Sequence, residues 1–427
     1  MKYIPRNDYL QFLISHKDKK VVKVVSGIRR SGKSTLFEIY KDYLLKNGVD
    51  REQIVSINLE DISYQDKTYK ELYYEIKDRL IEGKMVYVFL DEIQNCINFG
   101  KMVDSLYIQD NVDIYITGSN AYFMSGELAT LLSGRYVELK MLPLSFEEYV
   151  SNTDSSKSLL KKYYDYITYS SFPYALQYQN DLKAVQDYLR GIYSTILLKD
   201  LIQRYKITDV MMLEIVSSFV FDNIGRRLSS NRIANELSSY GRSANDKTIE
   251  KYLKALMDSL LIYQVKRYNI KGKQLLQTQA KYYIADLGLR YLLFSIKGQD
   301  EGHILENVIY LELLRRGYQI AIGQNDENEI DFVASDNHKT MYIQVTLSMK
   351  DEYTYKREIT PLKSLNNSYP KYVLTLDEAP IKDDEGIKII YALDFLINKD
   401  LWAFIALYYC WWCFLFYCAV RNSWIHE

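Results

Sequence analysis

A glycine-rich segment near the amino terminus carries residues whose types and spacing suit phosphate chemistry. The apolar run 21–26 is followed by Gly27, four further residues, Gly32, Lys33 and Ser34. Two glycines let a loop wrap closely around an anion with its N–H groups pointing inward, and a helix starting at Lys33 adds its positive dipole end. We expect Lys33 to reach the β- and γ-phosphates of ATP and Ser34 to hold Mg²⁺.

Three further residues of this loop and helix start are assigned to the same nucleotide, namely Arg30, Ser31 and Thr35. The alternative is a plain glycine-rich turn. The valine-rich run before the loop and the helical pattern LFEIYKDYLL after it favour a phosphate-binding loop (P-loop) between a strand and a helix.

Two acids end a second apolar run, MVYVFLDE, at Asp91 and Glu92. Open α/β sheets bind their ligands at the carboxyl ends of strands. We therefore expect Asp91 to complete the Mg²⁺ site with Ser34 and Glu92 to polarise the attacking water. Solvated acids at a strand end are the alternative.

Two more candidates for catalysis are Asn120 and Arg135. The apolar run 112–117 precedes Gly118, Ser119 and Asn120, whose amide could orient water near the γ-phosphate, unless this is an ordinary turn. Arg135 opens a fifth apolar run and could present its guanidinium to a nucleotide in its own or a neighbouring subunit. A surface arginine is the alternative.

Composition limits what else the chain does. Its 427 residues are 48% hydrophobic and 26% charged, which is typical of a globular protein with several domains. The net charge is −1, so a nucleic-acid surface must be local. The cysteines at 96, 410, 413 and 418 and the four scattered histidines form no disulfide or zinc framework, and no secretory signal opens the chain. We expect a cytoplasmic protein.

The chain resembles the bacterial and archaeal AAA-superfamily ATPases that carry a C-terminal domain of unknown function. The stretches that carry the resemblance are GIRRSGKST, VFLDEIQ, TGSN, LSGRY and LPLSFEEY, followed by SSFPYAL, GIYSTILLKDLIQRY, YYIADLGLR, GHILENVIYLELLRRGY and NEIDFVA. The resemblance covers about residues 1–397. It implies an α/β P-loop NTPase domain with an AAA-type five-stranded parallel sheet over residues 1–150, with Lys33, Ser34, Asp91, Glu92 and Asn120 in the nucleotide roles given above. Ser170 and Ser171 stand where such families often have two glycines.

A helical connecting region is predicted over 151–228 and a winged helix-turn-helix over 229–290, where two helices precede a hairpin. Residues 229–281 include ten Lys/Arg and four Asp/Glu, a local excess that marks a candidate DNA face. The candidate contacts are Lys247, Lys251, Lys254, Lys271 and Lys273. A winged helix that serves only for packing is the alternative.

Residues 291–398 resemble a small α/β domain with a restriction-endonuclease-like fold. Glu306 on a helix, then Glu329 and Asp331 on a strand, precede a strand with Gln344 and Thr346 where such enzymes have Glu-x-Lys. Gln is a weaker metal ligand and Thr supplies no ammonium, so we expect an inactive nuclease-like module. The alternative is that Glu329 and Asp331 are structural and pair with Arg315 or Arg316.

The tail 399–427 differs in composition from the rest of the chain. Residues 401–420 are twenty uncharged residues, nine of them aromatic. This length fits one bilayer crossing and predicts a tail anchor and membrane contact. A frame-shifted extension is the alternative, because the resemblance stops just before this stretch.

Together these observations predict an ATP hydrolase that couples Mg²⁺·ATP turnover to rearrangement of DNA-associated C-terminal domains. ATP is the expected ligand, and DNA, an unidentified protein and a second copy of the chain are candidate partners. The rival hypotheses are a slow nucleotide switch that scaffolds other proteins and a metal-dependent nuclease gated by ATP.

Overall fold

A sheet of five parallel strands forms the amino-terminal part of the chain. The computed structural model describes residues 3–118, 132, 134–178, 181–239, 241, 245–294, 300–326, 328–337, 339–378 and 382–399, without the side chains of 198–200, 203, 277 and 278. The strands are β1 Val22–Gly27, β2 Ile54–Asn58, β3 Val86–Asp91, β4 Val112–Thr117 and β5 Tyr136–Met141. Their order is β2-β3-β4-β1-β5, and every pair is parallel. This confirms the predicted α/β class and five-stranded parallel sheet.

Helices cover both faces of this sheet. They are α1 Asn7–Ser15, α2 Lys33–Lys46, α3 Ile62–Gln65, α4 Tyr69–Lys77 and α5 Phe99–Tyr107. Successive strand residues point to opposite faces, so Val24 packs with α4 and α5 while Val25 packs with α1 and α2. Because both faces are buried, the strands read as continuous apolar runs.

A helical region follows the sheet. It consists of α6 Phe146–Ser151, α7 Leu159–Tyr169, a 3₁₀ turn Pro173–Tyr178, α8 Leu182–Thr195, a π-helical segment Ile196–Ile202 with a last turn Gln203–Tyr205, and α9 Val210–Asp222. Its apolar side chains join one large core with those of the later elements. The helical region and the carboxyl-terminal part are therefore packed as one body.

The two serines that replace the expected glycines have a structural role. The Ser170 and Ser171 hydroxyls and the Ser171 N–H donate to the buried Asp286 carboxylate at 3.0, 2.6 and 2.6 Å. Ser170 has φ 94, and a Cβ on Gly288 would lie 2.6 Å from its Cβ. A buried carboxylate needs such donors, so here the serines satisfy Asp286 and the close approach is made at Gly288.

Two helices and a hairpin come next, in the predicted order. The helices are α10 Ser230–Ser239 and α11 Asp246–Asp258, and the hairpin strands are β7 Ile262–Asn269 and β8 Gln274–Ile284. A short strand, β6 Arg227–Leu228, precedes them. We call residues 227–284 the helix–hairpin segment.

The rest of the chain adds six strands to that hairpin. The elements are α12 Leu287–Leu293, α13 Glu301–Arg315, β9 Gln319–Asn325, β10 Asn328–Ser335, β11 Thr340–Thr346, α14 Glu352–Lys363, β12 Lys371–Thr375, β13 Lys382–Asp384, β14 Ile387–Tyr391 and α15 Ala392–Ile397. One nine-stranded sheet has the order β13-β14-β12-β11-β10-β9-β7-β8-β6. β7 pairs in parallel with β9 through Arg267–Asn269. The sheet is thus continuous across the boundary near residue 290 that the sequence predicts.

Candidate functional site

The glycine-rich loop leaves β1 at a point where no side chain fits. A Cβ on Gly27 would lie 2.4 Å from the Met141 carbonyl oxygen of the neighbouring β5. Gly32 has φ 101 and stands immediately before the first residue of α2. The two glycines therefore have the tight approach and the left-handed backbone that the motif requires.

Polar groups inside the loop suit an anion. The Lys33 side chain is buried, and its ammonium donates to the Gly27 and Ile28 carbonyl oxygens at 3.1 and 3.4 Å. Ser31 is fully buried, and among the described residues its hydroxyl has no hydrogen-bond partner. A buried hydroxyl without a partner lowers the stability of the fold unless a ligand supplies the missing hydrogen bond. A phosphate group held at the start of α2 would do so.

The other assigned loop residues surround the helix start. Ser34 is exposed and Thr35 is half-buried in the first turn of α2. Arg30 is exposed, with φ 67. Arg29 points across the edge of the sheet to Glu60, with 3.6 Å between guanidinium and carboxylate.

Asp91 meets the loop at the carboxyl edge of the sheet, as its position after β3 predicts. The Ser34 and Thr117 hydroxyls both hydrogen-bond to its carboxylate. Burial raises the pKa of Asp91, and these two hydrogen bonds oppose the shift. A hydroxyl and a carboxylate brought together beside Lys33 form a donor set that fits Mg²⁺.

Thr117 is a site residue that sequence reasoning missed. β4 lies between β1 and β3, so its last residue falls between the P-loop and Asp91. The Thr117 oxygen also accepts the Glu92 backbone N–H at 3.0 Å. Glu92 has φ 53, a conformation unusual for a residue with a side chain, and its carboxylate accepts a hydrogen bond from the Gln94 amide nitrogen. One hydroxyl thus positions both acids.

Arg6 is a second residue that the sequence did not single out. Its guanidinium donates to the carbonyl oxygens of Ser31, Leu142 and Pro143 at 3.1, 2.7 and 3.3 Å and to the Glu148 carboxylate at 2.9 Å. It is almost completely buried. Arg6 therefore ties the P-loop to the segment that follows β5.

Of the two remaining catalytic candidates, only Arg135 is among the described residues. Asn120 lies outside the described residues. Arg135 precedes β5, where its carbonyl oxygen accepts the Val22 N–H at the start of β1, and its guanidinium lies over the Tyr107 ring. Six residues of strand, roughly 20 Å, separate this amino edge from the P-loop at the carboxyl edge. A role for Arg135 at its own nucleotide is therefore wrong, and a role at a neighbouring subunit stays a prediction.

Comparisons with known proteins agree with this geometry. A family model described as an AAA domain matches residues 19–150, and one for a domain of unknown function (DUF8612) matches residues 160–300. Residues 19–150 therefore form an AAA-type P-loop ATPase domain. The predicted resemblance is confirmed.

Similar proteins extend over most of the chain and not only over its AAA domain. It is 39% identical to an uncharacterised protein of Haemophilus influenzae over 92% of this chain and 99% of that protein, so the two belong to one family. An uncharacterised protein of Methanocaldococcus jannaschii is 28% identical over 86% of this chain and 84% of that protein. Among solved structures, a Walker-type ATPase of Pyrococcus abyssi aligns with a TM-score of 0.48 and 16% identity, covering 68% of this chain and 96% of that one.

The candidate DNA contacts of this AAA protein fall into two groups. Lys247, Lys251 and Lys254 are all exposed along one side of α11. Lys273 is exposed at the hairpin tip, but Lys271 forms an ion pair with Asp326, which follows β9. Because β7 is also paired with β9, the hairpin is held in a sheet and is not a free wing.

The nuclease-like residues partly converge. Glu306, Glu329 and Asp331 all face one point, and the ammonium of Lys281 occupies it. From sequence alone, Lys281 is one of the ten basic residues that mark the candidate DNA face. Gln344 lies beside the cluster, where its side-chain oxygen accepts the Asp331 N–H at 2.7 Å.

The alternative pairing with Arg315 or Arg316 is wrong. Glu329 contacts Arg227 and Lys281. Both Arg315 and Arg316 pair with Glu312 on their own helix, since side chains three and four residues apart share a helix face.

The predicted membrane segment 401–420 lies outside the described residues. Within the part of the chain that is described, no helix is both long and apolar enough to span a bilayer.

Replacing Thr117 by Val tests the bridging hydroxyl. Val keeps the shape but removes both hydrogen bonds, so we expect ATP binding to remain and ATP turnover to fall roughly 10- to 100-fold, as for groups that orient metal ligands. Thr117→Ser keeps the hydroxyl and is the matched control. Steady-state hydrolysis and nucleotide affinity measure the two effects, and equal turnover in Thr117→Val and Thr117→Ser would contradict the assignment.

Proposed function

We propose that the chain hydrolyses ATP with Mg²⁺ at the P-loop and that turnover changes the position of its carboxyl-terminal part. The observation that carries the first half is the meeting of Ser34, Asp91 and Thr117 beside the P-loop lysine. A P-loop alone binds nucleotide, whereas the added acids supply the groups that hydrolysis needs.

Each side chain has a separate task in this proposal. Lys33 would exchange its two loop carbonyls for the β- and γ-phosphates, and Ser34 and Asp91 would hold Mg²⁺. The ion, when bound, neutralises charge on the transferred phosphoryl group. Glu92, the first residue after β3, would orient a water and accept its proton.

Two substitutions separate nucleotide binding from ATP hydrolysis. We expect Lys33→Ala to lose nucleotide binding, because it removes the charge that holds the phosphates. Glu92→Gln should keep ATP bound and reduce turnover by roughly 100-fold or more, the usual contribution of a general base. Glu38→Gln, the same change on the exposed face of α2, is the control.

ATP affinity and steady-state phosphate release give both answers. Turnover in Glu92→Gln equal to that of the parent would remove Glu92 from catalysis. Stoichiometric retention of nucleotide without turnover by the parent itself would favour the slow switch that scaffolds other proteins.

The coupling half of the proposal rests on contacts between the P-loop and α13. The Pro143 carbonyl oxygen accepts one hydrogen bond from Arg6 and another from Arg315 at 3.0 Å. Arg6 also donates to the Ser31 carbonyl oxygen of the P-loop. Arg315 also donates to the Tyr9 hydroxyl at 2.8 Å. Arg315 ends α13, which carries Glu306 into the carboxyl-terminal part. A shift of the P-loop on ATP binding would therefore reach α13 through two arginines and one carbonyl.

Arg315→Met tests this connection. The change keeps most of the buried side-chain volume. The Pro143 carbonyl oxygen keeps its hydrogen bond from Arg6, and Glu312 keeps its ion pair with Arg316 at 2.8 Å. We therefore expect folding and ATP binding to persist. Coupling between sites is typically about 1–3 kcal/mol, so ATP should change amide exchange in residues 301–399 of the parent roughly 5- to 150-fold. Arg315→Met should lose most of this change.

The control for this experiment is Arg190→Met, the same substitution at an exposed arginine of α8. Hydrogen exchange with and without ATP is the measurement. An ATP effect on residues 301–399 that is as large in Arg315→Met as in the parent and Arg190→Met would show that coupling does not pass through Arg315.

DNA contact is a second candidate function, favoured by the exposed face of α11. Lys247, Lys251 and Lys254 lie at spacings of three and four residues, so one groove could receive all three. Because the hairpin is fixed in the nine-stranded sheet, α11 and not the hairpin would make the main contact.

Changing these three lysines to Glu should weaken DNA binding and flatten its salt dependence, by about 0.9 in log–log slope for each phosphate that a lysine no longer neutralises. A second variant with Glu at the exposed Lys46, Lys70 and Lys101 has the same net charge and is the control. Affinity for duplex DNA against salt concentration is the measurement. An equal fall in affinity in both variants would point to general charge and not to α11.

A further inference from the structure

The ammonium of Lys281 lies at the focus of three carboxylates. It is 2.7 Å from Glu306, 3.0 Å from Glu329 and 3.6 Å from Asp331, and only 5% of the Lys281 side chain is exposed. The four residues come from β8, α13 and β10. A buried ammonium is tolerated only when its charge is paired and its hydrogens are accepted, and this arrangement supplies both.

The position is one that a divalent cation would need. Carboxylate oxygens from separate elements converging on one point are the ligands that Mg²⁺ and Mn²⁺ prefer. The ammonium already stands at that point, so an ion could enter only if Lys281 left. Among the described residues, no group of three His, Cys, Asp or Glu side chains has the arrangement of a metal site.

The oxygen atoms of the cluster are also engaged elsewhere. The Glu306 oxygen that accepts from Lys281 accepts the Tyr283 hydroxyl at 2.5 Å, and its other oxygen lies 3.2 Å from the His303 ring. The second oxygen of Asp331 accepts the Val345 N–H at 2.9 Å. With Lys281 in place, little acceptor capacity remains for an ion, and the oxygens that face its ammonium are those that its removal would free.

Both polar atoms of the Gln344 side chain also have protein partners. Its amide nitrogen donates to the Glu358 carboxylate at 2.9 Å, while its oxygen takes the Asp331 N–H. The amide therefore connects α14, β10 and β11 and does not point a free oxygen into the cluster.

Charge at the cluster is close to balanced. Arg227 forms a second ion pair with Glu329. Burial alone would raise the pKa of Glu306, but Lys281 and His303 lower it to about 2. Burial raises the pKa of Asp331 to about 8, and the Glu306 carboxylate adds to this shift. Lys281 and Arg227 thus face three acids, and Asp331 is the one whose pKa is shifted toward the neutral form.

We propose that Lys281 is the built-in cation of this cluster. Its ammonium takes the place of a divalent ion and fastens the helix–hairpin segment to α13 and β10 without metal. Removing the ammonium converts the three carboxylates into a divalent-cation site. The proposal does not depend on ATP hydrolysis or on DNA binding.

Mn²⁺ binding to the full chain without nucleotide tests this inference. Lys281→Met has an uncharged side chain of similar length, and we expect it to gain one Mn²⁺ site per chain, at least tenfold tighter than any site of the parent. Adding Asp331→Asn should abolish the new site, whereas adding Asp91→Asn should not. Paramagnetic resonance of free Mn²⁺ or calorimetry counts the sites.

Thermal unfolding with and without Mn²⁺ covers the case in which the variant is unstable. Lys281→Met should unfold at lower temperature than the parent without metal, and Mn²⁺ should raise its Tm more than that of the parent, because a ligand that binds only the folded state stabilises it. Lys23→Met removes another buried ammonium, which forms an ion pair with the single carboxylate of Asp113. We expect it to lose stability without recovery in Mn²⁺.

Two results would overturn the proposal. One is a Mn²⁺ site in the parent that disappears in Asp331→Asn, because Lys281 would then share the cluster with a metal. The other is a Lys281→Met chain that neither binds Mn²⁺ nor gains stability from it beyond the change seen in Lys23→Met.

Discussion

The hydrogen bond from the Thr117 hydroxyl to the Asp91 carboxylate sets the geometry of the nucleotide site. It exists because β4 lies between β1 and β3, so the end of β4 separates the P-loop from the acids. Burial favours the neutral form of Asp91, and hydroxyl donors favour the charged form that a divalent cation requires. The same threonine oxygen fixes the backbone of Glu92. The two acids are therefore held beside the phosphate loop by a single side chain.

The carbonyl oxygen of Pro143 has a comparable place between the nucleotide site and the rest of the chain. A carbonyl has two lone pairs, and here one guanidinium from each side uses one of them. Arg6 and Arg315 are both buried, so neither hydrogen bond is exchanged for water at small cost. The Ser31 carbonyl and the end of α13 are thus connected through Arg6, the Pro143 carbonyl oxygen and Arg315.

Lys281 shows how a buried cluster of three acids can be held together by a cation that belongs to the chain. Bringing carboxylates together in a low-dielectric interior is costly unless a cation is present. In this chain the cation is covalently part of β8, so the cluster is neutralised whenever the segment folds. As a consequence, the helix–hairpin segment and the later strands cannot separate without exposing or unpairing a buried charge. This agrees with their single nine-stranded sheet.

Local sequence by itself determined the P-loop, the acids after β3, the α/β class and the two helices and hairpin of residues 230–284, because these depend on neighbours a few residues apart.

Only the tertiary structure decided that Thr117 bridges the acids, that Arg135 lies at the far edge of the sheet, that β7 pairs with β9 and that Lys281 fills the acidic cluster. The residues concerned are distant in the chain: Arg315 and Pro143 are 172 residues apart, and Lys281 and Glu306 are 25 apart. Strand order cannot be read from the apolar runs, since each run is compatible with several neighbours. Likewise, a lysine in a basic stretch predicts an exposed charge, and only the packing of the chain shows that this one is buried and must be paired.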